Sequence, residues 1–159
     1  MSAVEPVERD PQVWPGGELV TADSITAYAE DSRLVAESPL DAGDLRTPDH
    51  VIAELELVSK HAARMVRVIH EAEEFKRRAG TSLERARANA RRENAGLPSV
   101  QQTAAVVLAT VAEKDAWDDA VTAFEYARRV GNLMKDYTGR VQSIGKQMEL
   151  MYTKGAGRG

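Results

Sequence analysis

The side chains with types and spacing suited to chemistry fall into three sets: histidines, clustered carboxylates and a run of cations. His50, His61 and His70 are the only histidines. No two lie three or four residues apart, the spacing at which one helix presents two imidazoles to a metal ion. Glu71, Glu73 and Glu74 follow His70, but without a Glu-x-x-His pair they do not make the di-metal pattern of a helical bundle. They read as a solvated charged face, with no metal and no other cofactor. Asp115, Asp118 and Asp119 flank Trp117, and carboxylates that do acid–base work need a pocket to shift their pKa. A slender helical hairpin offers none, so the chain is expected to be non-enzymatic and to take no small-molecule substrate. Gly16, Gly17, Gly155, Gly157 and Gly159 lack the preceding strand and spaced lysine of a phosphate loop.

The cations carry more information. Lys76, Arg77, Arg78, Arg85, Arg87, Arg91 and Arg92 stand against Glu84 alone between positions 76 and 92, and that density of positive charge suits nucleic-acid phosphate. Helical spacing spreads them over more than one face. Asp115, Asp118 and Asp119 are expected close to Arg77 and Arg78, absorbing part of the charge. Arg128, Arg129, Lys135, Arg140 and Lys146 form a second basic set. Two readings stand, phosphate contact and a solubilising surface; no aromatic ladder accompanies the charges to stack bases.

The elements that must hold these side chains are helical. Thr47-Pro48-Asp49 starts a helix, with Thr47 capping free amides, Pro48 suited to the first turn and Asp49 facing the positive end of the dipole. Val51, Leu55, Val58, Ala62, Met65, Ile69, Ala72, Ala79, Leu83, Ala86 and Ala90 then recur at steps of four and three, a heptad seam broken only at Lys76. This predicts a helix over 48–94, with a bend possible at Gly80. A turn follows over 95–99, where Gly96 is expected in the left-handed conformation and Pro98 stops continuation. Ser99 and Gln102 read as a capping box opening a second helix, 100–152, through Trp117, Phe124, Met134, Val141, Ile144 and Met148. At roughly 1.5 Å per residue each helix runs on the order of 70 to 80 Å. So short a connection forces antiparallel neighbours, with Phe75 near Trp117 or Ala120.

The fold class is therefore all-α: a long antiparallel two-helix coiled-coil hairpin with an irregular acidic arm before it. Two helices alone leave apolar surface wet, and Ile52, Val66, Val68, Val106, Val107 and Val121 widen the stripe. A homo-oligomer in the form of a helical bundle is the expected remedy, built on a seam of Leu55, Val58, Met65, Ile69, Leu83, Trp117, Phe124, Met134, Val141, Ile144 and Met148.

Residues 1–46 hold ten acidic and three basic side chains, whereas residues 47–159 hold fifteen and eighteen. The arm thus opposes the body in charge and either lies on it or stands in solvent as an extended, mobile tail. Pro6, Pro11, Pro15, Gly16 and Gly17 interrupt regular structure, and a short helix is possible from Ser24 to Glu37 before Pro39. Trp14, Leu19, Val20 and Tyr28 are apolar groups suited to docking, on a partner or on the chain's own helices. Residues 154–159 read as a flexible tail. There is no cysteine, no secretory signal pattern and no apolar run of membrane-spanning length. A cytoplasmic protein is expected, with no membrane partner.

From Ala86 to Met148 the sequence resembles small α-helical coiled-coil-hairpin proteins encoded by phages of actinobacteria. The residues that carry the resemblance are Arg85-Ala86-Arg87-Ala88, the turn Gly96-Leu97-Pro98-Ser99, then Leu108-Ala109-Thr110 and Gln142-Ser143-Ile144-Gly145. Genes for such proteins often lie among recombination and replication functions. The resemblance thus implies an accessory role in DNA metabolism in the cytoplasm of an infected bacterial host, with DNA or a DNA-processing protein as partner. A phage structural or assembly protein, such as a virion component, scaffold or chaperone, is the alternative. The arm before Thr47 lies outside the resemblance. Small secreted helical hairpins of the Trp-x-Gly type are a poorer match, because Trp14-Pro15-Gly16 lies in the arm and not in the turn.

Overall fold

Thr47, itself extended at φ −132°, accepts the backbone N–H of His50 at 3.3 Å, so the expected cap forms and Pro48 begins the first long helix. In the computed structural model, which describes residues 10–38 and 47–156, four helices follow one another. They are α1 (Ala22–Ala36), α2 (Pro48–Glu93), α3 (Ser99–Ala109) and α4 (Val111–Ala156). The chain is all-α. Among the described residues the only β pairing is a single bridge between Val13 and Leu19.

α2 and α4 are each 46 residues long, on the order of 70 Å. Lys76 meets Phe124, Ile69 meets Gly131, Glu54 meets Tyr137 and Val51 meets Gly145, so numbers fall on one helix as they rise on the other. The seam of α2 faces inward: Val51, Val58, Met65, Ala72, Leu83 and Ala90 are buried. On α4 the buried positions are Ala120, Phe124, Ala127, Val130, Met134, Tyr137, Val141 and Met148, with Ala123 beside them. Close approach depends on Gly131, where a Cβ would stand 2.6 Å from Ile69 Cδ1.

A two-helix hairpin with an irregular arm does not describe this arrangement, for two reasons. First, the short helix that was possible from Ser24 to Glu37 forms as α1 and packs on the body instead of standing on an irregular arm. α1 lies against both α2 and α4 and buries Ile25, Ala29, Ser32 and Ala36; Thr21 and Ser24 cap it reciprocally. Ahead of it, Trp14-Pro15-Gly16-Gly17 closes a tight turn in which Gly17 donates to the Trp14 carbonyl at 2.8 Å and takes φ +86°. Only a residue without Cβ adopts that backbone freely, and the turn drives Trp14 into the core at 5% exposure. The Trp14 indole N–H donates to Ser24 Oγ at 2.9 Å, and its ring meets Tyr28 edge-on at 4.8 Å. The arm from Asp10 to Ser38 is thus ordered on the body. Residues 1–9, 39–46 and 157–159 lie outside the described residues.

Second, the returning helix is divided. The Thr110 hydroxyl donates to the Val106 carbonyl at 2.9 Å and its amide to Val107 at 3.3 Å, a back-bonded, tightened turn that bends a helix. It separates α3 from α4 inside the crowded run Val106 to Val111. The turn before α3 also departs from expectation. Gly96 does not take a positive φ; Asn94 ends α2 instead, its side-chain amide donating to the Ala90 carbonyl at 2.8 Å. Ser99 and Gln102 form no capping box. Gln102 reaches back to the Arg91 carbonyl at 3.2 Å, satisfying a free acceptor at the end of α2. At the far end α4 continues as helix through Ala156, beyond the predicted stop at 152. Phe75 borders the same cleft as Ala112 and Ala116, and Trp117 lies beside Gly80.

Candidate interaction surface

The core seam residues are occupied within the chain. Val58, Met65, Leu83, Phe124, Met134, Val141 and Met148 are buried, Leu55, Ile69 and Ile144 are half-buried against the core, and Trp117 is half-buried beside Gly80. α1 packs on one side of the two long helices, and Val68 is buried; Ile52, Val66 and Val107, named with it as widening the apolar stripe, stay exposed.

The docking of α1 is polar as well as apolar. Ser32, with no exposed surface, pairs its hydroxyl with His61 Nδ1 at 3.0 Å. Asp31 meets Arg64 at 3.3 Å, and the Arg64 guanidinium lies 4.8 Å from the Tyr28 ring centre. Glu30 accepts from the Tyr126 hydroxyl on α4 and pairs with Arg33. Arg33 and then Tyr126 hold the Glu30 carboxyl down at about 2, the ionised state that suits pairing. Gln12 donates to the carbonyl and carboxylate of Glu71 at 2.9 and 2.6 Å. Burial, reinforced by Arg64 and Lys60, lowers the His61 pKa. His61 is thus a packing histidine, and His50 and His70 are exposed elsewhere on α2. Among the described residues no three His, Asp or Glu side chains converge where a metal ion would sit.

The seven cations toward the end of α2 separate by environment. Lys76 places its ammonium 3.8 Å from the Phe124 ring centre and is half-buried there, engaged by the ring's π face. Arg77 and Arg78 share Glu74, whose carboxyl they hold below the ordinary carboxylate range, Arg78 foremost. Arg78 also donates to the Asp10 carbonyl at 2.9 Å. Arg87 pairs with Glu84 at 2.9 Å. The aspartates of α4 do not take the expected part: Asp118 pairs with Lys114 on its own helix, because i,i+4 neighbours meet at lower entropic cost than partners across a hairpin. Arg85, Arg91 and Arg92 remain exposed with no carboxylate at ion-pair distance among the described residues; Arg92 bonds only Asn89. Arg78, Arg85 and Arg92 recur every seven residues and so form one row, roughly 10 Å apart. Arg85 and Arg92 each follow a buried residue, Leu83 and Ala90, by two positions, which turns them away from the interior.

The other face of the tip is apolar. α3 presents Val100 at 84% exposure, Val107 at 60% and Leu108 at 76%, continued by exposed Val111 on α4. The sequence named Val107 and Leu108 as apolar but not this face; its legible signal was eleven consecutive residues, Ser99 to Ala109, without a charge. Between the arm and the tip lies a cleft of about 520 Å³ bordered by Gln12, Leu19, Phe75, Arg78 and Ala112. Among the described residues no helix is long and apolar enough to cross a membrane. Comparison of the chain with family models, with curated proteins and with solved structures finds no match.

Proposed function

We propose that this chain is a non-enzymatic accessory protein of phage DNA replication or recombination, and that it contacts nucleic-acid phosphate through Arg85, Arg91 and Arg92 at the end of α2. The observation that supports this reading is the contrast within the row's neighbourhood. Lys76, Arg77 and Arg87 are engaged by Phe124, Glu74 and Glu84, whereas Arg85, Arg91 and Arg92 stand exposed on a rigid helix without a carboxylate among the described residues. Unpaired guanidinium groups at fixed spacing suit phosphate, whose bidentate recognition favours arginine. The phage resemblance points the same way, toward the cytoplasm of an infected bacterium.

Fluorescence anisotropy with short single- and double-stranded DNA tests it. Binding is expected at low ionic strength, falling with salt at a slope of about −2 to −3 on logarithmic axes if three phosphates are neutralised. Arg85→Glu with Arg92→Glu removes the binding, while Lys146→Glu on α4 leaves it nearly intact. No binding at low salt, or equal loss in both variants, refutes contact by this row. A second reading, a phage structural or assembly protein working through protein contacts, draws its support from the exposed apolar face of α3. Mass spectrometry of purified particles tests that reading by presence or absence of the chain.

A further inference from the structure

We propose that the arm from Asp10 to Ser38 is an intramolecular competitor for the anion-binding side of α2, so that docking of the arm and binding of nucleic acid oppose each other. The inference rests on the reading that Arg85, Arg91 and Arg92 meet phosphate, and it adds the regulation of that surface. Counting back by sevens from Arg92 and Arg85 along α2 gives Arg78, Glu71 and Arg64, and residues two turns apart share one side of a helix. The arm meets each of those three. Asp31 lies 3.3 Å from Arg64, whose guanidinium also stands over the Tyr28 ring. Gln12 donates to the carbonyl and carboxylate of Glu71, and the Asp10 carbonyl accepts from Arg78 at 2.9 Å. Exposure divides the row at the same place: Arg64, Glu71 and Arg78 are half-buried, whereas Arg85 and Arg92, farther along α2 than the contact with Asp10, are exposed.

Charge gives this contact its sign. Residues 10–38 hold six acidic side chains against Arg33 alone, a net of −5. Docked, the arm brings those carboxylates to the side of α2 from which Arg85 and Arg92 project, and their field opposes an approaching phosphate. It also occupies Arg64 and part of Arg78. With the arm lifted, Arg64 has no other carboxylate at ion-pair distance among the described residues, while Arg78 keeps Glu74 on its own helix. Glu71 remains the one carboxylate of the row, so the gain is roughly one to two phosphate contacts together with relief of the repulsion. Trp14, Ile25, Ala29 and Ala36 seat the arm on the core, which makes the closed form the resting state. A ligand that binds the open form better must raise arm opening by the same factor by which opening raises its affinity.

Hydrogen exchange of the full-length wild type, with and without a saturating short DNA duplex, provides the test. Amides of α1 are expected to exchange roughly tenfold faster with DNA bound, while those in the centres of α2 and α4 keep their rates. Anisotropy with the same duplex reads the converse. Trp14→Ala combined with Ile25→Asp expels the arm and is expected to bind roughly tenfold tighter at low salt, with a logarithmic salt slope steeper by about 1 to 2. Adding Arg64→Gln to that variant takes back about 1 in slope, whereas Arg64→Gln alone leaves the wild-type slope unchanged. Circular dichroism checks that the long helices persist in the variant; where they do not, exchange in the wild type decides. DNA that binds but leaves α1 exchange unchanged, or slows it, overturns the masking alone, as does an arm-expelled variant with wild-type affinity and slope. No binding by either protein overturns the phosphate reading itself, and the masking falls with it.

Discussion

Replacing Trp14 with alanine removes the anchor that holds the arm to the two long helices. The indole is 5% exposed, stacks edge-on with Tyr28 at 4.8 Å and donates to Ser24 Oγ at 2.9 Å. Truncating a buried aromatic of this size costs about 3 to 5 kcal/mol. α1 has 15 residues, near the length at which an isolated helix is marginal in water, so the loss should appear first as opening of the arm. At about 1.4 kcal/mol per decade, amide exchange in α1 is expected to accelerate roughly 10²- to 4 × 10³-fold. Amides in the centres of α2 and α4 should change far less. Trp14→Phe keeps a ring against Tyr28 but loses the hydrogen bond and some volume, a cost of about 1 kcal/mol and roughly a fivefold acceleration. Hydrogen exchange read by mass spectrometry resolves the two segments. Rates in α1 within a factor of about three of wild type in Trp14→Ala would refute the argument that this contact holds the arm.

Acid should weaken the fold in two separate windows. Burial lowers the His61 pKa below its ordinary 6.5, so the unfolded chain takes up a proton before the folded one. Stability is then fully present above about 6.5 and falls as pH drops through that value toward the lower folded pKa. Urea midpoints at pH 8 and 5.5 are expected to show the loss, and His61→Gln, which can keep a bond to Ser32, should remove it. Glu30, held at about 2 by Arg33 and Tyr126, contributes stability that is lost only as pH falls below about 4.5. At Gly131, alanine gains about 1 kcal/mol of helix propensity but must displace the Ile69 methyl 2.6 Å away. The net change is expected within about 1 kcal/mol, whereas Gly131→Leu should destabilise by about 3 kcal/mol through overpacking; thermal unfolding measures both.

Much of the long-helix architecture was legible because its signals are local. Thr47 and Pro48 act within one turn of themselves, and the seam from Val51 to Ala90 records the period of a helix with one buried side. The short helix before Pro39 was readable on the same grounds. Individual caps were less legible: Gly96 and the Ser99–Gln102 pair carry the expected residue types, but Asn94 and a long-range bond from Gln102 to Arg91 satisfied the free carbonyls instead. Either solution meets the same chemical demand, and local spacing does not choose between them.

The sequence by itself determined that the chain is helical, where α2 begins, and which side of α2 turns inward, since each follows from residue type and period alone. Only the tertiary structure decided what stands against those faces. It seated Trp14 and α1 against the Val68 side of the long helices, set Lys76 over Phe124, and left Arg85 and Arg92 facing solvent. It also set the apolar stripe of α3 on the opposite side of the tip. These outcomes join residues that are distant in the chain, and the competition among possible partners for one apolar surface or one charge is settled by three-dimensional proximity, which spacing along the sequence does not encode.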